Sequence, residues 1–235
     1  MINPLQGDSS QYKNPEVSPD GPTTTAPLDE ATAARNAELV DKYAASLYDA
    51  TAADILTWAH EHAPGPLVVT LSMENTVLAE LSKQFLPGAD FLFLDTEYHF
   101  AETLEVADKV EQRYPDNRLV RATAQLSRAE QDEVYGPNLY RRNPTACCRM
   151  RKVEPLAVHM SPYVGWITGV RRDDGPTRAE APALSLDKTG RLKISPLVTW
   201  TLEDTDAYIA DNDLIIHPLT TQGYPSIGCE TCTLP

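Results

Sequence analysis

Pro66-Leu-Val-Val-Thr-Leu71 runs straight into Ser72-Met-Glu-Asn75, after which Val77, Leu78, Leu81 and Phe85 recur at helical spacing. An apolar run of that length suits a strand buried on both faces of a parallel sheet. The change to three- and four-residue spacing marks a helix, predicted to open at Ser72-Met-Glu-Asn75. The pattern repeats: Phe91-Leu-Phe-Leu94 is a second strand, Asp95-Thr96 ends it, and Phe100, Leu104, Ala107 and Tyr114 mark a second helix. Arg118-Leu-Val-Arg-Ala122 reads as a third, weaker strand. Strand, helix, strand, helix, strand predicts an α/β fold with a doubly wound, mostly parallel sheet, whose ligands sit at the carboxyl ends of the strands.

Upstream, Leu39, Val40, Tyr43 and Leu47 place an amphipathic helix within Leu28 to Leu47, and Thr51 with Asp54 forms a capping pair before a second helix carrying Ile55, Leu56 and Trp58. Residues 1–27 are rich in Pro, Ser, Thr, Asp and Gly and are predicted to form a disordered tail without a catalytic role. Residues 28–235 then make a single α/β domain; 42% hydrophobic content is enough for a full core. Downstream, Trp166-Ile-Thr-Gly-Val170 reads as another buried strand. No stretch is long or apolar enough to span a bilayer, and Met1-Ile-Asn-Pro-Leu-Gln-Gly-Asp8 lacks the features of a signal peptide. These features predict a cytoplasmic protein with reduced thiols and no membrane partner.

The net charge of −14 argues against general nucleic-acid binding. The cations are nevertheless concentrated. Five of the 20 Lys and Arg residues (Arg141, Arg142, Arg149, Arg151, Lys152) fall within twelve positions, and no Asp or Glu occurs from Val134 to Val153. Arg171, Arg172 and Arg178 follow. Such a cluster in an acidic protein predicts a pocket for a small, highly charged anion, with Arg171 and Arg172 holding a sulfate or phosphate by forked hydrogen bonds. At the end of the first strand, Ser72 and the free N-H groups of the turn offer a second anion contact.

The only cysteines form two tight pairs, Cys147-Cys148 and Cys229-Glu-Thr-Cys232. Two disulfides, a zinc site and an iron-sulfur site are the available explanations. Adjacent cysteines bridge poorly, because a trans peptide holds their Cα atoms about 3.8 Å apart. They also span one compact tetrahedral ion awkwardly. A cubane cluster offers separate iron corners, so side chains splayed about 100° apart on a helix can each take one. Four thiolates without histidine fit that last explanation best. Arg149, Arg151 and Lys152, the last one helical turn beyond Cys148, supply positive charge beside an anionic cluster.

Asn143-Pro144-x-x-Cys147-Cys148-Arg149-x-Arg151-Lys152-Val153-x-Pro155-Leu156, Trp166-Ile-Thr-Gly169-x-Arg171-Arg172 and Tyr224-Pro-Ser-Ile-Gly-Cys229-x-x-Cys232-Thr233 together resemble the assimilatory adenylyl-sulfate (APS) reductase family. Lys193-Ile-Ser-Pro-Leu197, Trp200 and a helix after Thr201 match the family's order as scaffold. The resemblance implies an adenine nucleotide alpha hydrolase-like (ATP pyrophosphatase-like) fold and a 4Fe-4S cluster on Cys147, Cys148, Cys229 and Cys232. It also implies phosphate contacts at the Ser72 turn and adenosine against Leu94-Asp95-Thr96. Arg171, Arg172 and Arg178 would lie at the sulfonate and phosphate of APS, and Lys152 between substrate and cluster. Leu71, Asn75 and Glu97 depart from the family pattern, where a small hydroxyl residue, Asp and Gly are common. If the Glu97 backbone needs a positive φ, glutamate strains it. His99 is expected to pack rather than to catalyse.

The implied reaction is thioredoxin-dependent reduction of APS to sulfite and AMP, in sulfate assimilation and cysteine biosynthesis, through an enzyme S-sulfocysteine. The cluster would serve geometry and electrostatics rather than electron transfer. The family's nucleophile lies in a C-terminal Glu-Cys-Gly-Leu-His segment that these 235 residues lack. The chain is therefore expected to be a truncated, inactive form that still binds APS and cluster. Two alternatives are a non-catalytic nucleotide and iron-sulfur binding module, and an ATP-using sulfurtransferase, which would predict a Ser-Gly-Gly phosphate loop. Self-association as a homo-oligomer is left open.

Overall fold

The computed structural model describes residues 25–235, so the expected tail lies outside the described residues except for positions 25–27. Helix α1 (Glu30–Leu47) starts where the Asp29 side chain accepts Thr32 N-H, and α2 (Ala52–His62) where Thr51 accepts Asp54 N-H. Then follow β1 (Leu67–Leu71), α3 (Val77–Phe85), β2 (Asp90–Asp95), α4 (Ala101–Arg113) and β3 (Leu119–Thr123). Four short helices come next: α5 (Arg128–Tyr135), α6 (Leu139–Arg142), α7 (Pro144–Cys148) and, after a π-helical stretch at Arg149–Val153, α8 (Glu154–Met160). Strands β4 (Gly165–Ile167), β5 (Leu184–Leu186) and β6 (Leu192–Ile194) and helix α9 (Leu202–Asp211) complete the fold.

Among the described residues six strands form one sheet in the order β3-β2-β1-β4-β6-β5. All neighbours run parallel except β5, which is antiparallel to β6. Alternation along each strand divides the core. Val69, Phe91, Phe93, Ile167 and Ile194 face a large cluster with Leu39, Ile55, Leu56, Val77 and Val106, while Val68, Leu92 and Ala122 face Met160 and Tyr163 on the other side. Both faces are thus covered, as the continuous apolar strands predict.

From β1 the chain moves to β2 on one side, and it later returns to the other side of β1 as β4. This reversal makes a crevice at the carboxyl ends of β1 and β4. Thr70 Oγ1 donates across it to the Ile167 carbonyl at 2.9 Å. Two boundaries differ from expectation. The helix after β1 begins at Val77 rather than Ser72, because Met73 takes φ +65°, outside the right-handed helical region. The strand expected over Trp166–Val170 covers only Gly165–Ile167; Thr168 N-H still reaches the Ile194 carbonyl, and the chain then leaves the sheet.

Candidate active site at the carboxyl edge of the sheet

The loop after β1 is held by side chains. Ser72 Oγ accepts Glu74 N-H at 3.4 Å and Asn75 Oδ1 accepts Val77 N-H, so Asn75, not Ser72, serves the start of α3. Ser72 itself is exposed. Thr76 is buried: its N-H donates to the Ile215 carbonyl at 3.1 Å, and its hydroxyl accepts Ile215 N-H at 3.0 Å. The segment leading toward the second cysteine pair is thereby tied to this loop. Glu74 lies partly buried beside Arg171 and Asp174; burial raises its carboxyl above the usual range, Arg171 opposes this, and Asp174 adds to it.

The loop after β2 carries Asp95 and Thr96. Asp95 Oδ1 accepts Glu97 N-H at 2.9 Å, and buried Thr96 lies with its hydroxyl 3.3 Å from Cys229 Sγ. Glu97 has φ +57°, the conformation a glycine would adopt without strain. His99 donates through Nε2 to the Leu94 carbonyl at 2.9 Å and packs on Phe93, in keeping with a packing role.

The two cysteine pairs, distant in sequence, meet beside this loop. Asn143 Oδ1 accepts Ala146 N-H and Pro144 occupies the first turn of α7, which buries Cys147 and leaves Cys148 exposed. Cys229 pairs through its backbone with His99, and Glu230 N-H donates to the Tyr98 carbonyl at 2.8 Å. Cys147 and Cys229 pack with Tyr98 and Leu139 in one buried cluster. All four thiols are free. Burial, then repulsion from Cys148, Cys229 and Cys232, push the Cys147 thiol up to about 11, against the attraction of Arg151. No three His, Cys, Asp or Glu side chains among the described residues are grouped to hold a metal ion.

Beyond Cys148 the backbone widens into the π-helical stretch instead of continuing as the ordinary helix expected there. Arg151 is 1% exposed and donates to Gln131 Oε1 at 2.8 Å and to Glu97 Oε2 at 3.2 Å, while its Nη2 lacks a partner among the described residues. Arg149 pairs with Glu154 at 3.1 Å. Lys152 is half-buried, with no hydrogen-bond or ion-pair partner among the described residues.

The other arginines already have protein partners. Arg171 binds Asp174 at 2.9 Å and Thr205 Oγ1 at 2.9 Å, and Arg178 binds the second oxygen of Asp174 at 2.8 Å. Against the cost of burial, these donors hold the Asp174 carboxyl below its usual range. Arg172 turns to the connection between α1 and α2, where it meets Asp49 at 2.7 Å and stacks 3.8 Å over Tyr48. Arg171 and Arg178 are therefore brought together through Asp174, whereas Arg172 is not. Sequence reading missed Glu74, Thr76 and Gln131; only the helical signals around them were visible, and none pointed to a site.

Comparison with known proteins identifies the family. The family described as Phosphoadenosine phosphosulfate reductase domain matches residues 66–235. The chain is 48% identical over 197 residues to the adenosine 5'-phosphosulfate reductase of Mycolicibacterium smegmatis, covering 83% of each protein. It is 44% identical over 212 residues to that of Mycobacteroides abscessus, covering 90% of this chain and 87% of that protein. Among solved structures, phosphoadenylyl-sulfate reductase from Candida auris superposes with a TM-score of 0.72 at 25% identity, over 84% of this chain and 97% of that one. A shared fold, a match over most of the chain and close relatives at this level of identity make the chain a member of the APS/PAPS reductase family.

Proposed function

We propose that the protein acts in the thioredoxin-dependent reduction of APS to sulfite and AMP, with a 4Fe-4S cluster held by Cys147, Cys148, Cys229 and Cys232. The observation that carries this reading is the meeting of the two cysteine pairs beside the Asp95-Thr96 loop, at the edge of the sheet where nucleotides bind in such folds. The donor set suits the group in kind: four free thiols come from two pairs that meet, although no three among the described residues are yet grouped to hold a metal ion, and the Thr96 hydroxyl and the Arg151 Nη2, without a partner among the described residues, are the nearby donors. When bound, the cluster supplies a fixed charge distribution next to the substrate. The M. smegmatis and M. abscessus relatives, named for APS, support that substrate over its 3'-phosphorylated form.

In the reaction a thiolate attacks the sulfur of APS, the bond from sulfur to the phosphate oxygen breaks, and AMP leaves with that electron pair. Thioredoxin, the dithiol reductant, then attacks the S-sulfocysteine and releases sulfite. The turn at Ser72 and the loop at Asp95 and Thr96 bind the nucleotide. Lys152, a half-buried cation without a hydrogen-bond or ion-pair partner among the described residues, offsets charge on the sulfonate. Anion binding at Arg171 and Arg178 involves Asp174, which both already hold. With all four thiols on the cluster, none of these 235 residues supplies the nucleophile.

Iron and sulfide analysis after purification without oxygen tests the reading, with about four of each per chain expected. APS should bind, and mass analysis should show no sulfite adduct on any of the four cysteines. Stoichiometric zinc, paired thiols or an adduct on Cys147, Cys148, Cys229 or Cys232 would overturn it.

A further inference from the structure

Glu97 stands in a conformation that disfavours any residue with a side chain, yet its carboxylate is closely engaged. One oxygen, Oε2, accepts Arg128 N-H at 2.7 Å, at the start of α5, and Arg151 Nη1 at 3.2 Å. Arg151 is enclosed between Gln131 and the ring of Tyr98, 5.6 Å away, and Tyr98 packs against Cys147 and Cys229. The loop after β2, the start of α5 and the π-helical stretch that follows the Cys147-Cys148 pair thus share one carboxylate.

We propose that Glu97 is a positioning residue for the cysteine centre: it fixes the buried Arg151 guanidinium so that its Nη2 donor, without a partner among the described residues, serves the thiolates and the group they hold. The inference rests on the cluster reading above. Without Glu97, Arg151 keeps only Gln131 as a hydrogen-bond partner among the described residues, and its guanidinium can rotate about that single bond. A glycine would relax the backbone at this position, so a residue kept there against its own φ preference has its role in the side chain.

The test uses the cluster-loaded chain and four variants, Glu97→Gln, Glu97→Gly, Arg151→Met and the double variant Glu97→Gln with Arg151→Met. Resonance Raman bands of the iron-thiolate bonds and the rate of iron loss to a chelator are read for each. Glu97→Gln and Glu97→Gly should shift the bands and speed iron loss about tenfold or more, as expected when a group orienting a metal's surroundings is removed. The double variant should match Arg151→Met alone, because Glu97 acts through Arg151. Glu97→Gly is favoured at φ +57°, so a folded protein is available for the measurement. Unshifted bands and unchanged iron loss in both Glu97 variants, with a wild-type chain holding its iron, would overturn the inference alone. A wild-type chain without iron would remove both the cluster reading and the inference built on it.

Discussion

Replacing Thr76 by valine removes one hydroxyl at nearly constant shape, where that hydroxyl joins the loop after β1 to the segment before the second cysteine pair. Thr76 is 1% exposed, and its Oγ1 is the acceptor for Ile215 N-H at 3.0 Å. The Ile215 carbonyl keeps its bond from Thr76 N-H, so the loss falls on the Ile215 N-H. A buried donor left without a partner costs about 1–3 kcal/mol. The Tyr114 hydroxyl, which also lies against Thr76, loses a neighbour as well. Thr76→Ser is the control: it keeps the hydroxyl and gives up one buried methyl group, for about 1 kcal/mol. Equilibrium urea unfolding should therefore rank wild type above Thr76→Ser and Thr76→Ser above Thr76→Val, with an unchanged denaturant slope. A Thr76→Val protein as stable as Thr76→Ser would refute the reasoning, because volume rather than the hydrogen bond would then control the site.

Three further outcomes are expected. Thr96→Val should destabilise the protein by about 1–2 kcal/mol, since Tyr98 N-H loses its acceptor, and should speed iron loss from the cluster, while Thr96→Ser should restore both; equal iron retention in Thr96→Val and wild type would count against the Thr96-Cys229 contact. Gly165→Ala should cost about 2 kcal/mol or more, read as a lower urea midpoint, because the added Cβ would lie 2.7 Å from Leu192 Cβ and 2.9 Å from the Leu192 carbonyl oxygen in the paired strand. Burial, together with His99, holds His217 below the ordinary value of 6.5, against Glu102. The folded state thus prefers neutral His217, and its contribution to stability is fully present above pH 6.5. It is lost as pH falls from there through the lower folded value, with a slope of at most about 1.4 kcal/mol per pH unit. Urea midpoints at neutral and mildly acidic pH should separate wild type from His217→Gln, the variant having the shallower dependence.

Sequence by itself determined the α/β layering, because unbroken apolar runs such as Leu67–Leu71 and Phe91–Leu94 can be satisfied only with both faces covered. It determined the start of α2 through Thr51, whose oxygen caps locally and needs no distant partner, while α1 is placed by sequence only within Leu28 to Leu47 and its start at Asp29 comes from the structure. It also flagged the cysteine pairs and the conflict at Glu97, since both depend on residue type and short spacing. What remained for tertiary structure was everything set by long-range contact. Ser72 looked like a helix cap until Met73 took a left-handed conformation, which depends on how the loop packs under Thr76 and Ile215. Arg171, Arg172 and Arg178 looked alike as a basic cluster, but Asp174 joins two of them and Asp49, on a distant connection, takes the third. Gln131, the partner that holds Arg151, has no local signal at all. A guanidinium's role depends on which acceptor lies within hydrogen-bond reach, and only the folded chain brings those acceptors together.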